Sequence, residues 1–286
     1  MKYIHFLLFI PLLLLSEQSV DIDDVKNLKT KSSMQKWLDH DFGLKPYKTN
    51  YLLPYGYAET PYTTNVPTLE YKNIEAELQV SLMLQVGHNL LGLREKYYVS
   101  YTHQAFWQIY IESAPFRETT YNPEGFVVFP IEDTTSIFGL RSLKFTLAHK
   151  SNGQPDTSEV VFANNQNLGN LSRSINYVKS TLRLQHDTLV TDISAWVPIA
   201  SLDDNPDIMD YMGYTSVKFT YFLDDNMFTF KTRGNISTSK GAIELTYSHP
   251  LIHNNLYVKF FSGYMESLVD YNRKVTKLSV GFSFSR

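Results

Sequence analysis

A base, a hydroxyl and a carboxamide stand in this sequence at spacings that a β-sheet would gather. In Lys144-Phe-Thr-Leu-Ala-His-Lys-Ser-Asn-Gly153, His149 lies two residues before Ser151, and Ser172-Arg-Ser-Ile-Asn176 follows with its carboxamide. Side chains of a strand alternate between its two faces. Leu143, Phe145 and Leu147 therefore share one face of the first segment, with Ser142, Lys144 and Thr146 on the other. Continued alternation puts His149 and Ser151 on the apolar face. In the second segment Val178, Ser180, Leu182 and Leu184 have the parity of Asn176, opposite Tyr177, Lys179, Thr181 and Arg183. A base beside a hydroxyl is the raw material of nucleophilic catalysis. The ordinary alternative is a pair of rim side chains hydrogen-bonded to loop backbone. An apolar face cannot stand in water, so the surrounding elements must say what covers it.

The chain has 286 residues, 20 Tyr, 18 Phe, no cysteine and a net charge of −3. The charge gives no reason to expect nucleic acid, and the lack of cysteine excludes disulfides and thiol chemistry. At the N-terminus Lys2 precedes the apolar run Phe6–Leu15, then Ser16 and a polar stretch. This is the pattern of an export signal over residues 1–19, with cleavage near Ser16 or Ser19. About ten apolar residues are too few to span a bilayer, and no later run reaches the ~18 that a transmembrane helix needs. Residues 20–45 are polar and read as a periplasmic segment. Val25, Leu28, Met34, Trp37 and Leu38 are loosely helical in spacing, and a mobile tail is the favoured reading.

From residue 46 the pattern becomes one of strands. Ile74, Ala76, Leu78, Val80, Leu82, Leu84 and Val86 alternate with Glu75, Glu77, Gln79, Ser81 and Gln85, and similar alternation recurs to the C-terminus. Roughly twelve such segments of ~10 residues are expected, near 47–58, 73–86, 96–110, 123–132, 138–150, 173–185, 187–198, 211–223, 226–234, 240–249, 255–266 and 276–285. An all-β, closed antiparallel transmembrane β-barrel of 12 strands over 46–286 follows, apolar towards lipid and polar within. An even count leaves no free edge and returns both termini to one side. Short gaps (185–188, 223–226, 250–255) alternate with long ones, so the His149 segment belongs at the outer rim with Ser113 and Asp203-Asp-Asn-Pro-Asp207. Residues 87–95 are long for a turn. Lys218, Glu244, Lys259 and Lys277 face inward.

Several segments, in order, then match one family. His149-Lys-Ser151-Asn-Gly153 with Ser172-Arg-Ser174-Ile-Asn176 resembles the catalytic segments of bacterial outer membrane phospholipase A. So do Ser113-Ala-Pro-Phe-Arg-Glu-Thr119, Asp204-Asn-Pro-Asp207 with Tyr211-Met-Gly-Tyr214, and Ser262-Gly-Tyr264 with Glu266-Ser-Leu and Asp270-Tyr-Asn272. The resemblance implies a twelve-stranded barrel in the bacterial outer membrane, with its active site on the lipid-facing wall towards the outer leaflet. It implies a calcium-dependent esterase that cleaves the acyl bonds of phospholipids (A1, A2 and lysophospholipase) as a homodimer. Ser151 would be the nucleophile, His149 the general base and Asn176 the residue that orients it. Calcium would be held at the positions of Gln154, Ser172 and, from the partner chain, Ser113.

The chain departs from the family at Gln154, where Arg is usual, and at His103, where a Gln is buried in the dimer interface. Residues 155–171 look like an insertion. Asp203, Asp204 and Asp207 lack the ligand spacing of an EF-hand and read as a turn. Two other functions remain open on the residues alone: a channel or structural barrel, and an esterase of the lipid A deacylase type.

Overall fold

Strands form where the alternation predicts them. A computed structural model gives the structure of the chain and describes residues 26–28, 31, 43–62, 69–131, 139–154 and 170–285. Among these, twelve long strands run in sequence. They are β1 (Tyr51–Ala58), β2 (Ile74–His88), β3 (Lys96–Trp107), β4 (Phe116–Pro130), β5 (Leu140–Ser151), β6 (Ser174–His186), β7 (Leu189–Pro198), β8 (Thr215–Leu223), β9 (Asn226–Asn235), β10 (Lys240–Leu251), β11 (Asn254–Gly263) and β12 (Val275–Ser283). A three-residue strand, Leu44–Pro46, precedes them. Each long strand pairs antiparallel with its neighbour in sequence, and β12 pairs back onto β1, Val280 opposite Tyr55. The sheet is thus a closed barrel with no free edge.

The burial pattern is that of a barrel in lipid. Val99, Tyr101, Phe145, Leu147, Val178 and Val197 are exposed on the outer wall, whereas Glu75, Glu77, Arg117, Lys259 and Lys277 are buried inside. Water would not tolerate that outer wall, and a bilayer requires it. The long connections 59–73, 108–115, 152–173, 199–214 and 264–274 emerge at one end, with the short 236–239. At the other end, 187–188, 224–225 and 252–253 are two-residue turns. The residue pair 131 and 139 bounds a longer connection there, most of which lies outside the described residues, as do residues 1–25, 29–30 and 32–42. In the polar segment the Lys31 N–H donates to the Asn27 carbonyl at 2.8 Å, one turn of helix.

Two boundaries differ from the alternation. β4 starts at Phe116 rather than near 123, because Arg117 and Glu118 turn inward as buried charges. β8 starts at Thr215 rather than 211, because Ile208–Met212 coils into a short helix, α1. Ile208 and Met209 of α1 pack with Trp196, Met265, Leu268 and Tyr271 into an apolar cluster that includes Ala148, Ile175 and Tyr177 of β5 and β6. This core lies directly behind the strand ends that carry His149 and Asn176.

Candidate active site

The three residues singled out by their parity lie together on the outer wall. β5 and β6 pair in a register that sets His149 opposite Asn176 and Ser151 opposite Ser174. His149 Nδ1 and Asn176 Oδ1 are 2.9 Å apart. An amide oxygen only accepts, so the shared proton belongs to Nδ1 and leaves Nε2 free to take one. Ser151 is two residues along on the same face; among the described residues no hydrogen bond joins it to the imidazole.

The backbone around these side chains is pinned from several directions. The β4–β5 register pairs Tyr121 with Ser151 and Glu124 with Ala148. Between them Pro123, which has no N–H, cannot donate to the ladder. The Asn122 side chain fills the gap, its Nδ2 donating to the His149 carbonyl at 2.8 Å. On the far side of β6, the Ile199 N–H donates to the Asn176 carbonyl at 3.0 Å. Asn205, fully buried, accepts from the Ser174 N–H at 2.9 Å. Each such bond contributes about 1 kcal/mol net, and together they fix the strand ends that carry His149 and Asn176.

Beyond Ser151 the chain turns through Gly153 at φ +64°, where a Cβ would lie 2.7 Å from the ring of Tyr121. Only glycine combines that backbone with so close a ring. Asn152 is buried and ties the two loop arms together. Its Oδ1 accepts from the Arg173 N–H at 3.0 Å and its Nδ2 donates to the Leu171 carbonyl at 2.8 Å. The residues between, 155–169, lie outside the described residues.

Of the expected metal ligands, the structure groups Gln154 and Ser172 and leaves Ser113 apart. The Gln154 N–H and the Arg173 N–H share Asn152 Oδ1 as acceptor, the former at 3.4 Å. Ser172 Oγ donates to Asp204 Oδ2 at 2.9 Å, and Asn170 Nδ2 donates to Asp204 Oδ1, also at 2.9 Å. Ser113, at φ +62°, stands in the turn between β3 and β4, with no bond to Gln154 or Ser172 among the described residues. The donors around Ser172 are hydroxyl, amide and carboxylate oxygens, a hard set that fits calcium. Among the described residues no cluster of three His, Cys, Asp or Glu is present.

Sequence reasoning missed Tyr121, and it placed Asp204 and Asn205 in a matching segment without their contacts to Ser172 and Ser174. Tyr121 faces outward beside Ser151, and the ring of His103 tilts against it at 5.3 Å. Asp203–Asp207 is the turn that was expected, yet Asp204 reaches Ser172 and Asp207 accepts from the Tyr271 hydroxyl. Nothing local in Asp-Asp-Asn-Pro-Asp signals those partners, which come from elsewhere in the chain.

Comparison with known proteins gives a consistent picture. The family model for phospholipase A1 matches residues 27–284. The chain is 33% identical over 252 residues to phospholipase A1 of Escherichia coli K12, covering 85% of this chain and 82% of that protein. It is equally similar to phospholipase A1 of Klebsiella pneumoniae, with 85% and 83% covered. Among solved structures, outer membrane phospholipase A from Escherichia coli superimposes with a TM-score of 0.75 at 32% identity, covering 85% of this chain and 98% of that one. The calcium-bound dimer of the Salmonella typhi outer membrane phospholipase does so with a TM-score of 0.75 at 33% identity, covering 86% and 93%.

Proposed function

The chain belongs to the phospholipase A1 family and is a bacterial outer-membrane β-barrel, and from that premise we propose that it hydrolyses phospholipid acyl esters with Ser151, His149 and Asn176 on its lipid-facing wall. The observation that carries this reading is the 2.9 Å contact between His149 Nδ1 and Asn176 Oδ1 beside Ser151, on the face that touches lipid.

His149 Nε2 takes the proton of Ser151 as Oγ attacks the ester carbonyl carbon. The bond from that carbon to the glycerol oxygen then breaks, and His149 returns the proton to the leaving alkoxide, releasing lysophospholipid. Water repeats the sequence on the acyl-enzyme, with His149 again as base, and releases the fatty acid. Asn176 holds the imidazole in the tautomer that both steps need. Being neutral, it stabilises the imidazolium less than a carboxylate would.

Gln154 and Ser172 would hold a calcium ion, with Asp204 adding charge beside Ser172 and Ser113 arriving from a second copy of the chain. When bound, calcium supplies electrophilic stabilisation for the ester oxygen as it gains negative charge. A homodimer accounts for a Ser113 that stands apart from Ser172 within one chain.

The test is hydrolysis of diacyl phospholipid in mixed micelles, with calcium and with excess chelator. Wild type should release fatty acid only with calcium. Ser151→Ala should be inactive in both while keeping the heat-resistant electrophoretic mobility of a folded barrel. Activity in the folded Ser151→Ala protein would remove Ser151 as nucleophile and favour a different esterase site. Full wild-type activity in chelator would remove calcium from the mechanism.

A further inference from the structure

The interior of this barrel is chemically two-sided. On one side acids and bases balance. Glu75 is held by Arg117 Nε at 2.9 Å and Lys277 Nζ at 3.0 Å, Glu266 by Lys277 at 2.9 Å, and Glu77 by Lys259 at 2.5 Å. Arg117 also reaches Asp270 at 2.6 Å. That is how buried charge is ordinarily retained.

The other side does not balance. A lumenal cavity of about 440 Å³ takes its lining from β1–β11 and reaches this side at β4–β10. Besides Glu266 of the balanced side its acids are Glu124, Glu244 and Asp192, and the last is taken by Arg183 at 2.7 Å. Glu124 serves both Lys48 at 3.2 Å and Lys179 at 3.4 Å, and Glu244 lies 3.9 Å from Lys259 of the balanced side. Lys150, Lys218 and Lys231 line the same cavity and have no carboxylate within 4.0 Å among the described residues. Arg233 joins them there, its guanidinium spent on the carbonyls of Tyr264 and Met265.

In the register Lys231 of β9 sits directly opposite Lys218 of β8, with Asp192 of β7 beyond Lys218 and Glu244 of β10 beyond Lys231. Like charges facing each other across a ladder repel, and a narrow lumen with low-dielectric walls strengthens and focuses their field. Hydroxyls stand among these cations, including the Thr229–Thr246 pair at 2.6 Å. Lys150 enters from β5 between His149 and Ser151, so the back of the catalytic strand belongs to the cavity.

We infer that this cationic half of the lumen is a binding site for a small phosphate-class polyanion, of the size of a phosphomonoester or pyrophosphate. Positive charges that outnumber the carboxylates of the cavity match a ligand with several negative ones, and lysine ammonium groups are point-charge phosphate binders. A fatty acid carboxylate fits less well. It carries a single charge, and the charged and hydroxyl side chains here give its chain no apolar bed. The site is separate from the ester-cleaving face, which lies on the opposite side of the same strand.

The experiment titrates inorganic pyrophosphate into the purified full-length protein in detergent micelles, free of divalent cations and at constant ionic strength. Trp196 borders the cavity, so its fluorescence reports occupancy beside the thermal midpoint. Saturable binding with a raised midpoint is expected. The double variant Lys150→Gln, Lys231→Gln should bind at least tenfold more weakly, and its midpoint without ligand should exceed that of wild type, because repulsion is relieved. If that variant does not fold, Lys218→Gln alone should weaken binding at least threefold. Equal responses to pyrophosphate and to sodium chloride of matched ionic strength would overturn the inference, as would unchanged affinity in the folded variants.

Discussion

His149 depends on one neutral partner, and the strength of that dependence can be stated. Removing the Asn176 oxygen leaves Nδ1–H without its acceptor and frees the ring to turn or change tautomer. A neutral hydrogen bond is worth about 1 kcal/mol net, and ~1.4 kcal/mol is tenfold in rate. Asn176→Ala should therefore lower kcat roughly tenfold with KM nearly unchanged, and Asn176→Asp should recover the loss because a carboxylate favours the imidazolium more. Initial rates on mixed micelles check both, and a wild-type rate in Asn176→Ala would remove this residue from the mechanism. His149, Ser151 and Asn176 were legible from the sequence as sharing one outward face, because the side chains of a strand alternate. The contacts of Asp204, Asn205 and Tyr121 were not, because each acts on a strand end far from itself in the chain, through bonds that only the closed barrel creates.

At the scale of elements, the connection between β2 and β3 explains its unusual length. Glu95 is buried inside it, with Oε1 accepting from the Leu91 N–H at 2.6 Å and Oε2 from the Leu93 N–H at 3.0 Å. The turn thereby presents Leu90, Leu91 and Leu93 outward, each more than half exposed. Burial pushes the Glu95 carboxyl up, but the backbone N–H groups of Leu91, Glu95 and Leu93 and the Tyr97 hydroxyl outweigh it and hold it below the usual carboxylate range. With the folded value below the unfolded one, the stabilisation is complete above the unfolded carboxylate range and disappears as pH falls through the folded value. Hydrogen exchange should show the Leu91 and Leu93 amides protected at neutral pH, less so in Glu95→Gln, with the two proteins converging in acid. Equal protection at neutral pH would show that the carboxylate does not hold this turn. Twelve strands could be read because lipid outside and charge inside enforce alternation along every one. Where that rule lapses the reading lapses too: at the start of β4, whose Arg117 and Glu118 answer to charges across the lumen, and at α1, whose Ile208 and Met209 join the apolar cluster.

For the whole molecule, interior ion pairs and the proposed pairing of two chains set the terms. Arg117 forms a fork with Glu75, Nε to Oε2 at 2.9 Å and Nη2 to Oε1 at 3.0 Å, and extends to Asp270 in the loop above the lumen. Breaking a buried ion pair from one side typically costs about 3–5 kcal/mol. Arg117→Met should lose stability of that order in denaturant titration of the detergent-solubilised protein; a loss below ~1 kcal/mol would mean that water replaces the guanidinium. On the proposed mechanism a single copy lacks the Ser113 contact, so specific activity should follow the cross-linked fraction, and calcium with substrate should raise both. Undiminished activity in a demonstrably monomeric sample would rule out the requirement for pairing. Lipid is as apolar as the wall, so pairing must rest on packing and polar contacts, and His103 beside Tyr121 is placed to make one. The outward position of His149 and Ser151 has one more consequence. An enzyme that works through its side wall meets its ester in a plane, arriving by lateral diffusion rather than from bulk solution. The quantity that governs its rate is then the area fraction of the leaflet occupied by phospholipid, so an inert amphiphile mixed into the same layer slows turnover even when the number of ester molecules in the vessel stays constant.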